Sequence, residues 1–217
     1  MKPRLLDLFC GAGGCAVGYH RAGFDVVGVD IAPQANYPYE FHQADALDPP
    51  VFYDEFDAIH ASPPCQAFSI AQNARKRADQ HPNLIPQTRA LLRASGLPYV
   101  IENVVGAPLE DALMLCGTGF GMRHEGFELR RHRLFESNVS MMSPGCIHRL
   151  PAAPVFGHGS GRDFMRRHGR GFGADARRAI MGIDWMTRDE VSQAIPPVFT
   201  EHIGGYLLSA ITAQVTA

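Results

Sequence analysis

The sequence predicts an α/β fold with a parallel sheet, followed by an irregular basic segment and a set of C-terminal helices. In the first half of the chain, short apolar and β-branched runs alternate with helical patterns, an order typical of parallel strands joined by helices. The periodicity is lost over residues 140–173, where Gly, Pro, His and Arg are frequent, and helical patterning returns beyond them. We therefore predict a single domain in three parts: a body over 1–137, a basic segment over 138–175, and helices over 176–217 that return to the body.

Each predicted element follows from its own local pattern. The strands are runs of apolar and β-branched residues, and Gly23 and Gly96 stand where a glycine commonly ends a helix. The strands are predicted over Arg4–Phe9, Asp25–Val29, Phe56–Ala61 and Tyr99–Glu102. The helices are predicted over Ala12–Ala22, Leu84–Ala94, Ala174–Met181, Arg188–Ala194 and Thr200–Ala213.

Length and composition exclude several classes of protein. With 217 residues, 46% of them apolar, the chain is long enough to bury a core and too apolar for a disordered tail. Its five cysteines form no CxxC pair and its net charge is -2, so the chain as a whole indicates neither a disulfide framework nor a polyanion-binding protein. Because there is no signal-peptide pattern and no apolar run of membrane length, we expect a soluble cytoplasmic protein with reduced thiols and no membrane partner.

A glycine-rich turn follows the first predicted strand. Cys10-Gly11-Ala12-Gly13-Gly14, called the glycine turn below, leads into a helix, and its glycines let a ligand approach the backbone at the helix N-terminus. Asp30 ends the second strand about twenty residues later, where an acid can accept hydrogen bonds from both hydroxyls of a ribose. Asp45 can accept a hydrogen bond from an adenine amino group. The pattern favours a nucleoside site, and the alternative is a tight strand–helix connection without a ligand.

A candidate nucleophile follows the third predicted strand, in Ser62-Pro63-Pro64-Cys65-Gln66. A pair of prolines continues neither a helix nor a sheet, so it stiffens the chain where it leaves the strand. This would hold Cys65 at the carboxyl edge of the sheet, where open α/β folds bind their ligands. The thiolate is the reactive form, so the surroundings have to activate the thiol. The alternative is a buried structural cysteine.

A candidate acid ends the fourth predicted strand. Glu102 follows an apolar run, where a charged and unpaired carboxylate would be costly. Burial would raise its pKa and make it a protonated donor or general acid. The alternative is an acid that caps a loop or pairs with an arginine.

These features belong to a longer series of motifs that covers nearly the whole chain outside the basic segment. The ordered blocks are Asp7-Leu8-Phe9-Cys10-Gly11-Ala12-Gly13-Gly14, Asp30, Asp45, Pro63-Pro64-Cys65-Gln66, Glu102-Asn103-Val104, Arg131-His132-Arg133, Met181-Gly182-Ile183-Asp184-Trp185-Met186 and Ala194-Ile195-Pro196-Pro197. With these blocks the chain resembles the cytosine-C5 DNA methyltransferases, as a small member with a reduced target-recognition region. Any single block is modest evidence, whereas all of them in this order are highly specific.

The resemblance implies a Rossmann-like class I S-adenosylmethionine-dependent methyltransferase fold with a short irregular basic insertion, and S-adenosylmethionine as the cofactor. It implies that Cys65 adds to carbon 6 of cytosine, while Glu102 hydrogen-bonds the ring at N3 and the amino group. Carbon 5 would take the methyl group, and loss of its proton with elimination of Cys65 would release the product. Arg131 and Arg133 would hold the cytosine carbonyl, neighbouring phosphates or Glu102. The cytosine would be flipped out of the duplex.

The same resemblance assigns the binding residues. The cofactor site would be lined by Phe9, Gly11, Ala12, Gly13, Gly14, Asp30, Ile31, Asp45, Ala46, Pro63, Ala194 and Ile195. For DNA, the candidates lie beside the nucleophile and among the arginines of the basic segment, whose charge suits phosphate contact without sequence reading. They are Gln66, Ser69, Arg162, Arg166, Arg167 and Arg170. The alternative for these arginines is a solvated loop that balances an acidic body.

The chain departs from the family pattern at two contact positions: Leu129 replaces the usual glutamine before the arginine block, and Ser192-Gln193 replace the usual Gly-Asn. No metal site is predicted, because Cys116 and Cys146-x-His148 have a poor spacing for shared ligation. We expect a monomer that acts on double-stranded DNA, and leave a recognition partner open. The rival functions are an RNA cytosine-C5 methyltransferase and a catalytically silent regulator that binds S-adenosylmethionine or DNA.

Overall fold

The computed structural model describes residues 2–66, 68, 82–155, 161–169 and 171–215. Most of its strands form one sheet, and two short strands form a separate ribbon. The strands are β1 (Arg4–Leu8), β2 (Asp25–Asp30), β3 (Glu40–Gln43), β4 (Ala58–Ala61), β5 (Tyr99–Asn103), β6 (Leu113–Leu115), β7 (Arg123–His124), β8 (Phe127–Glu128) and β9 (Arg133–Ser137). The main sheet has the order β3-β2-β1-β4-β5-β9-β6, and the ribbon pairs β7 with β8.

The topology of the main sheet creates a crevice between β1 and β4. Strands β1 to β5 run parallel, and β9 runs antiparallel between β5 and β6. The chain moves outward from β1 through β2 to β3 and then returns to place β4 and β5 on the other side of β1. In open α/β sheets, ligands bind outside the carboxyl ends of the strands at such a reversal. The residues that follow Leu8 and Ala61 are therefore placed where a ligand is expected.

The predicted α/β fold is confirmed, and the predicted strands β1, β2, β4 and β5 match to within about two residues at either end, the usual uncertainty of strand boundaries. Strands β3, β6 and β9 were not predicted. The sequence of β9, Arg133–Ser137, carries a basic and an acidic residue, and β6 is only three residues long. Strand β3 pairs with β2, and β9 pairs with both β5 and β6, so the strand structure of all three depends on their neighbours in the sheet.

The helices are α1 (Gly14–Ala22), α2 (Ile85–Ser95), α3 (Gly161–His168), α4 (Ala174–Met181), α5 (Arg188–Gln193) and α6 (Pro197–Val215). Helix α1 begins later than predicted because Gly13 has a φ angle of 84°, outside the right-handed helical region. Helix α6 begins earlier than predicted, since proline needs no hydrogen-bonded N–H in the first turn of a helix. None of the described helices combines the length and apolarity needed to cross a membrane.

The prediction of an irregular basic segment is wrong over Gly161–His168, which form α3. The ring of Phe164 on this helix is buried, 5.0 Å from the ring of Phe127 and 5.9 Å from that of Phe172. These rings belong to an apolar cluster that also contains Ile180 and is distinct from the two clusters around the sheet. A short and strongly charged helix has too few apolar residues to show a clear period, so its stability comes from tertiary packing.

Helices α1 and α6 pack so closely that glycines are required between them. A side-chain carbon on Gly18 of α1 would lie 2.0 Å from the Pro197 carbonyl oxygen. A side-chain carbon on Gly204 of α6 would lie 2.5 Å from the Ala22 Cβ atom. Both distances are far shorter than van der Waals contact, so the close approach of the two helices depends on the missing side chains.

Alanine substitutions at Gly204 and at its neighbour Gly205 are expected to change stability in opposite directions. Both raise the intrinsic helix propensity by about 1 kcal/mol. No atom of the described residues lies within 4 Å of a side-chain carbon at Gly205, so this gain is realised there. At Gly204 the contact with Ala22 costs about 2–3 kcal/mol and outweighs the gain. Urea denaturation measures both, and a Gly204→Ala protein more stable than the parent would contradict the close packing.

Candidate active site

The glycine turn lies at the carboxyl end of β1 and leads into α1. Phe9, Gly11 and Gly13 have φ angles of 56°, 49° and 84°, a left-handed path that the two glycines adopt without strain and that is uncommon for a phenylalanine. The Asp30 carboxylate, at the end of β2, accepts hydrogen bonds from the Gly11 amide at 3.0 Å and the Ala32 amide at 2.9 Å. A side-chain carbon on Gly11 would meet no atom of the described residues within 4 Å. The turn therefore has open space beside a fixed carboxylate.

Residues from the C-terminal part of the chain close the other side of the glycine turn. A side-chain carbon on Gly14 would lie 2.5 Å from the Ile195 carbonyl oxygen and 3.3 Å from the Ala194 side chain. The Trp185 indole donates a hydrogen bond of 2.9 Å to the Ala12 carbonyl oxygen. Ala194 and Ile195 thus lie against the turn, as the sequence interpretation placed them. Trp185 is a further contact that this interpretation did not assign to the site.

The remaining predicted cofactor residues follow the ends of β2, β3 and β4. Ile31 comes directly after β2 and is 73% exposed, which is unusual for so large an apolar side chain. Asp45 is exposed after β3 and accepts a hydrogen bond of 2.9 Å from the Leu47 amide, whereas the neighbouring Ala46 is buried. Pro63 is buried shortly after β4. The parallel pairing of these strands places all four predicted residues along one edge of the sheet.

The predicted nucleophile Cys65 follows β4 and is half-buried. The Asn103 side chain, at the end of the neighbouring strand β5, donates a hydrogen bond of 2.9 Å to the Pro63 carbonyl oxygen. The Cys65 carbonyl oxygen accepts a hydrogen bond of 3.0 Å from the Phe68 amide. Together with the stiff proline pair, these bonds tie the backbone around the thiol to the carboxyl end of β5.

Glu102, the predicted acid, is buried on β5 with 6% of its surface exposed. Its Oε1 atom lies 3.1 Å from the Arg133 Nε atom, yet makes no well-aligned hydrogen bond within the described part of the chain. Such an oxygen keeps its capacity to bind a further donor or to carry a proton. The structure thus brings together Cys65, Glu102 and Arg133, which are far apart in the sequence.

Arg131 lies in the same region but is held mainly by backbone groups. Its two terminal nitrogens donate hydrogen bonds to the Val155 carbonyl oxygen at 2.8 Å and the Ser192 carbonyl oxygen at 2.9 Å. Its buried Nε atom has no hydrogen-bond partner among the described residues. Arg131 therefore links the arginine block to the segment before α6, and one of its donors stays available.

The electrostatics couple the acid to the thiol. Burial raises the pKa of the Glu102 carboxyl, and the opposing effects of Arg133, the Ser62 hydroxyl and Arg131 do not cancel this rise. Burial also raises the pKa of the Cys65 thiol, the charge of Glu102 raises it further, and Arg133 and Arg131 lower it. Protonation of Glu102 therefore removes one of the two main causes that keep the Cys65 thiol protonated.

A buried hydrogen-bonded chain that the sequence interpretation missed leads to Glu102. The Tyr19 hydroxyl lies 2.8 Å from His60 Nδ1, and His60 Nε2 lies 2.9 Å from the Ser62 hydroxyl. Burial lowers the pKa of His60 to about 3, so the imidazole is neutral and has one donor and one acceptor. If the Ser62 hydroxyl donates its hydrogen to Glu102, the Ser62 oxygen accepts a hydrogen bond from the His60 Nε2–H group. The Nδ1 atom of His60 is then unprotonated and accepts a hydrogen bond from the Tyr19 hydroxyl. The sequence signal for this series of hydrogen bonds was a histidine within an apolar strand.

Replacement of His60 by glutamine is expected to change how stability depends on pH. The folded-state pKa of about 3 is below the ordinary value, so the unfolded chain binds the extra proton first as pH falls below about 6.5. The histidine's contribution to stability is therefore complete above pH 6.5 and falls by about 1.4 kcal/mol per pH unit below it. Urea denaturation at about pH 7, 6 and 5, on both sides of the ordinary histidine pKa, should show the parent losing its advantage over the variant as the pH falls. A constant difference would contradict the neutral buried imidazole.

Comparison with protein families decides what kind of site this is. The family model for the C-5 cytosine-specific DNA methylase matches residues 3–111, which include the glycine turn, Cys65 and Glu102. The chain belongs to this family. The resemblance predicted from the sequence is therefore confirmed.

Curated members of the methylase family match part of this chain. The Type II methyltransferase M.AquIA of Picosynechococcus is 30% identical over 125 residues, which cover 49% of this chain and 50% of that protein. The Type II methyltransferase M.DdeI of Desulfomicrobium norvegicum is 27% identical over 115 residues, which cover 47% of this chain and 28% of that protein. The chain thus spans half or less of the length of these relatives.

A solved structure shares the fold over nearly the whole chain. A protein provisionally described as a DNA modification methyltransferase, encoded within a prophage of E. coli, has a TM-score of 0.64 and 14% identity. The match covers 97% of this chain and 99% of that one. At this identity the likeness concerns the fold alone, and it confirms the predicted Rossmann-like methyltransferase fold.

The residues predicted to bind nucleic acid are described only in part. Gln66 is exposed directly after Cys65, and Arg166 and Arg167 are exposed on α3. Outside the described residues lie Ser69, Arg170 and the side chain of Arg162.

A surface groove beside α3 and α4 adds arginines that were not assigned to DNA. The groove has a volume of about 720 Å³ and is lined by Arg166, Arg177 and Arg188, together with Phe172. Only Arg166 was predicted as a nucleic-acid residue. Arg177 and Arg188 belong to two different helices, and their placement on one surface follows from the packing of α4 against α5, which has no signature in the sequence.

Proposed function

We propose that this chain transfers a methyl group to carbon 5 of a cytosine in double-stranded DNA. The observation that carries the proposal is the meeting of Cys65 and Glu102 at the carboxyl ends of adjacent parallel strands, with Arg133 3.1 Å from Glu102. A thiol, a buried carboxyl and arginine donors are the groups needed to add a nucleophile to a pyrimidine and to hold the ring while its charge changes.

In the proposed mechanism the Cys65 thiolate forms a bond to carbon 6 of the cytosine ring. Glu102, whose raised pKa favours its protonated form, donates to N3 and neutralises the charge that the addition pushes into the ring. When bound, S-adenosylmethionine supplies an electrophilic methyl group for carbon 5. The proton of carbon 5 then leaves to a base, and departure of the Cys65 thiolate restores the aromatic ring.

The residues around the glycine turn fit S-adenosylmethionine. The open space beside Gly11 admits a ligand against the backbone. Each Asp30 oxygen accepts one backbone hydrogen bond and keeps a lone pair for a ribose hydroxyl. The exposed Ile31 offers an apolar surface to an adenine ring, and Asp45 offers an acceptor to its amino group.

The proposed DNA substrate has to present a cytosine outside the stack, because the reaction uses both faces of the ring. Flipping the base costs a few kcal/mol, which contacts with the rest of the duplex have to supply. Arg166 and Arg188, which are exposed and line the groove, support contact with phosphates, which gives affinity without reading sequence. We expect a short or loosely defined target.

The proposal is tested with methyl-labelled S-adenosylmethionine, offered with unmethylated duplex DNA and, separately, with bulk transfer RNA. The expected result is label in DNA, recovered as 5-methylcytosine after digestion to nucleosides. Label in RNA alone would assign the chain to RNA cytosine methylation. Cofactor binding by calorimetry without transfer to either nucleic acid would favour a silent regulator.

A further inference from the structure

Four side chains with metal-binding atoms meet just beyond the carboxyl end of β6 and the amino end of β9. Their ligand atoms, the thiols and one imidazole nitrogen from each ring, all lie within 4.8 Å of one another. The residues are Cys116, His132, Cys146 and His148, called the thiol–imidazole cluster below. The sequence interpretation set three of them aside because of their spacing, and it did not consider His132 as a ligand.

The sheet register explains why the spacing along the chain was misleading. Cys116 follows β6, and His132 precedes β9. The two strands pair antiparallel with Leu115 opposite Arg133, so the next pair outward is Cys116 opposite His132. The other two ligands come from one short loop, where a single residue separates Cys146 from His148.

The distances within the cluster suit a tetrahedral ion. The Cys146 sulfur lies 3.1 Å from His148 Nε2 and 3.2 Å from His132 Nε2, and the Cys116 sulfur lies 3.5 Å from His148 Nε2. A tetrahedral Zn²⁺ with bonds of about 2.3 Å to sulfur and about 2.1 Å to nitrogen holds such ligand atoms about 3.5 Å apart. The four atoms therefore need to move only slightly to bind one ion.

The loop that carries Cys146 and His148 is anchored on both sides of the cluster. The fully buried Glu128 accepts hydrogen bonds of 2.9 Å from the amides of Arg149 and Leu150, directly after His148. Before Cys146, the Gly145 carbonyl oxygen packs so closely against Gly119 that a side-chain carbon on Gly119 would overlap it. The arrangement is thus built into the fold and is not a chance meeting of surface side chains.

We propose that Cys116, His132, Cys146 and His148 bind one Zn²⁺ ion in a closed structural site. Four protein ligands complete a tetrahedron and leave no position for a substrate, which separates this site from the chemistry at Cys65. Two thiolates and two imidazoles favour zinc over magnesium or calcium, which prefer oxygen ligands. On binding, both thiols release their protons to solvent, and the Cys116 thiol gives up its 3.1 Å hydrogen bond to the Arg130 carbonyl oxygen.

Zinc at this place would act on the active site through one residue. His132 stands between Arg131 and Arg133, whose side chains reach the active-site region. An ion that fixes His132 also fixes the backbone from which both arginines extend, and ties it to the loop of Cys146 and His148.

The whole protein, purified in chelator-free buffer, provides the test. Elemental analysis is expected to find about one zinc per chain, and replacement by Co²⁺ should produce the intense visible bands of a tetrahedral site with thiolate ligands. Cys146→Ser and His148→Ala alter exposed side chains and should lower the retained zinc at least about tenfold, since each removes one of four ligands. Cys65→Ser and His42→Ala, which remove a thiol and an imidazole elsewhere, should retain it.

Metal removal gives a second readout that does not depend on catalysis. A strong chelator is expected to lower the Tm of the parent by about 5 °C or more, and to have no effect on the Tm of Cys146→Ser. The proposal is overturned if the parent contains less than about a tenth of an equivalent of zinc and gives no cobalt bands, or if both cluster variants keep full zinc. A Cys116–Cys146 disulfide in non-reduced peptide maps of the fresh protein would also overturn it.

Discussion

A protein in which alanine replaces Cys65 is expected to lose methyl transfer by at least about 10³-fold, because the Cys65 thiol is the group proposed to bond to carbon 6 of cytosine. The side chain is half-buried, so the substitution removes little packing, and the glycine turn with its Asp30 contacts is untouched. Cofactor binding and thermal stability should therefore stay near those of the parent. The loss then belongs to the chemical step and not to folding.

A duplex containing 5-fluorocytosine gives the most direct measurement of this step. Elimination of the nucleophile requires loss of a proton from carbon 5. Fluorine at this position cannot leave as a cation, so elimination is blocked and a covalent complex accumulates. The parent should form this complex in denaturing gels, and Cys65→Ala should not. Cys15→Ala, a substitution at a buried cysteine in α1, is the matched control and should form it. A covalent complex with Cys65→Ala would reject the assignment of the nucleophile.

Replacement of Glu102 by glutamine is expected to lower methyl transfer by about 10²-fold or more while making the Cys65 thiol easier to ionise. Glutamine keeps the shape of the side chain and its amide can donate a hydrogen bond, but it cannot transfer a proton to N3. At pH values where Glu102 is ionised, glutamine also removes the negative charge that raises the pKa of Cys65, while Arg133 and Arg131 continue to lower it. A variant with a more ionised nucleophile and a lower rate would separate the role of the acid from that of the thiol.

The pH dependence of alkylation tests the second half of this prediction. Iodoacetamide reacts with the thiolate, and mass spectrometry of the peptide that contains Cys65 distinguishes it from the other cysteines. The pH midpoint of the reaction should be lower in Glu102→Gln than in the parent. Glu40→Gln, at an exposed acid on β3, should leave the midpoint unchanged. An unchanged or higher midpoint in Glu102→Gln would contradict the inference that Glu102 raises the pKa of Cys65.

The parts of the fold and site that could be predicted are those in which a local pattern carries the information. Buried parallel strands are continuous apolar runs, so β1, β2 and β5 are visible in the sequence. Cys65 and Glu102 each follow such a strand, and the carboxyl ends of parallel strands meet at one edge. Their proximity therefore follows from the fold class before any coordinates are known.

The parts that could not be predicted depend on contacts between distant residues. The pairing of Cys116 with His132 needs the register of β6 and β9, two strands that were not predicted from the sequence. The series of hydrogen bonds from Tyr19 through His60 to Ser62 forms only when α1 packs on the sheet. No spacing along the chain encodes these meetings, because they are set by how the layers pack.

The contacts of Trp185 and Ile195 with the glycine turn have a consequence for synthesis on the ribosome. The hydrogen bond from Trp185 to Ala12 joins residues 173 positions apart. Strand β1 and its turn emerge early, but one wall of the turn is missing until the region around Ile195 has emerged as well. A nascent chain that is halted before this region has the proposed nucleophile and acid but lacks this wall of the turn. We therefore expect competence for the proposed reaction to arise in one late step of translation instead of growing with chain length.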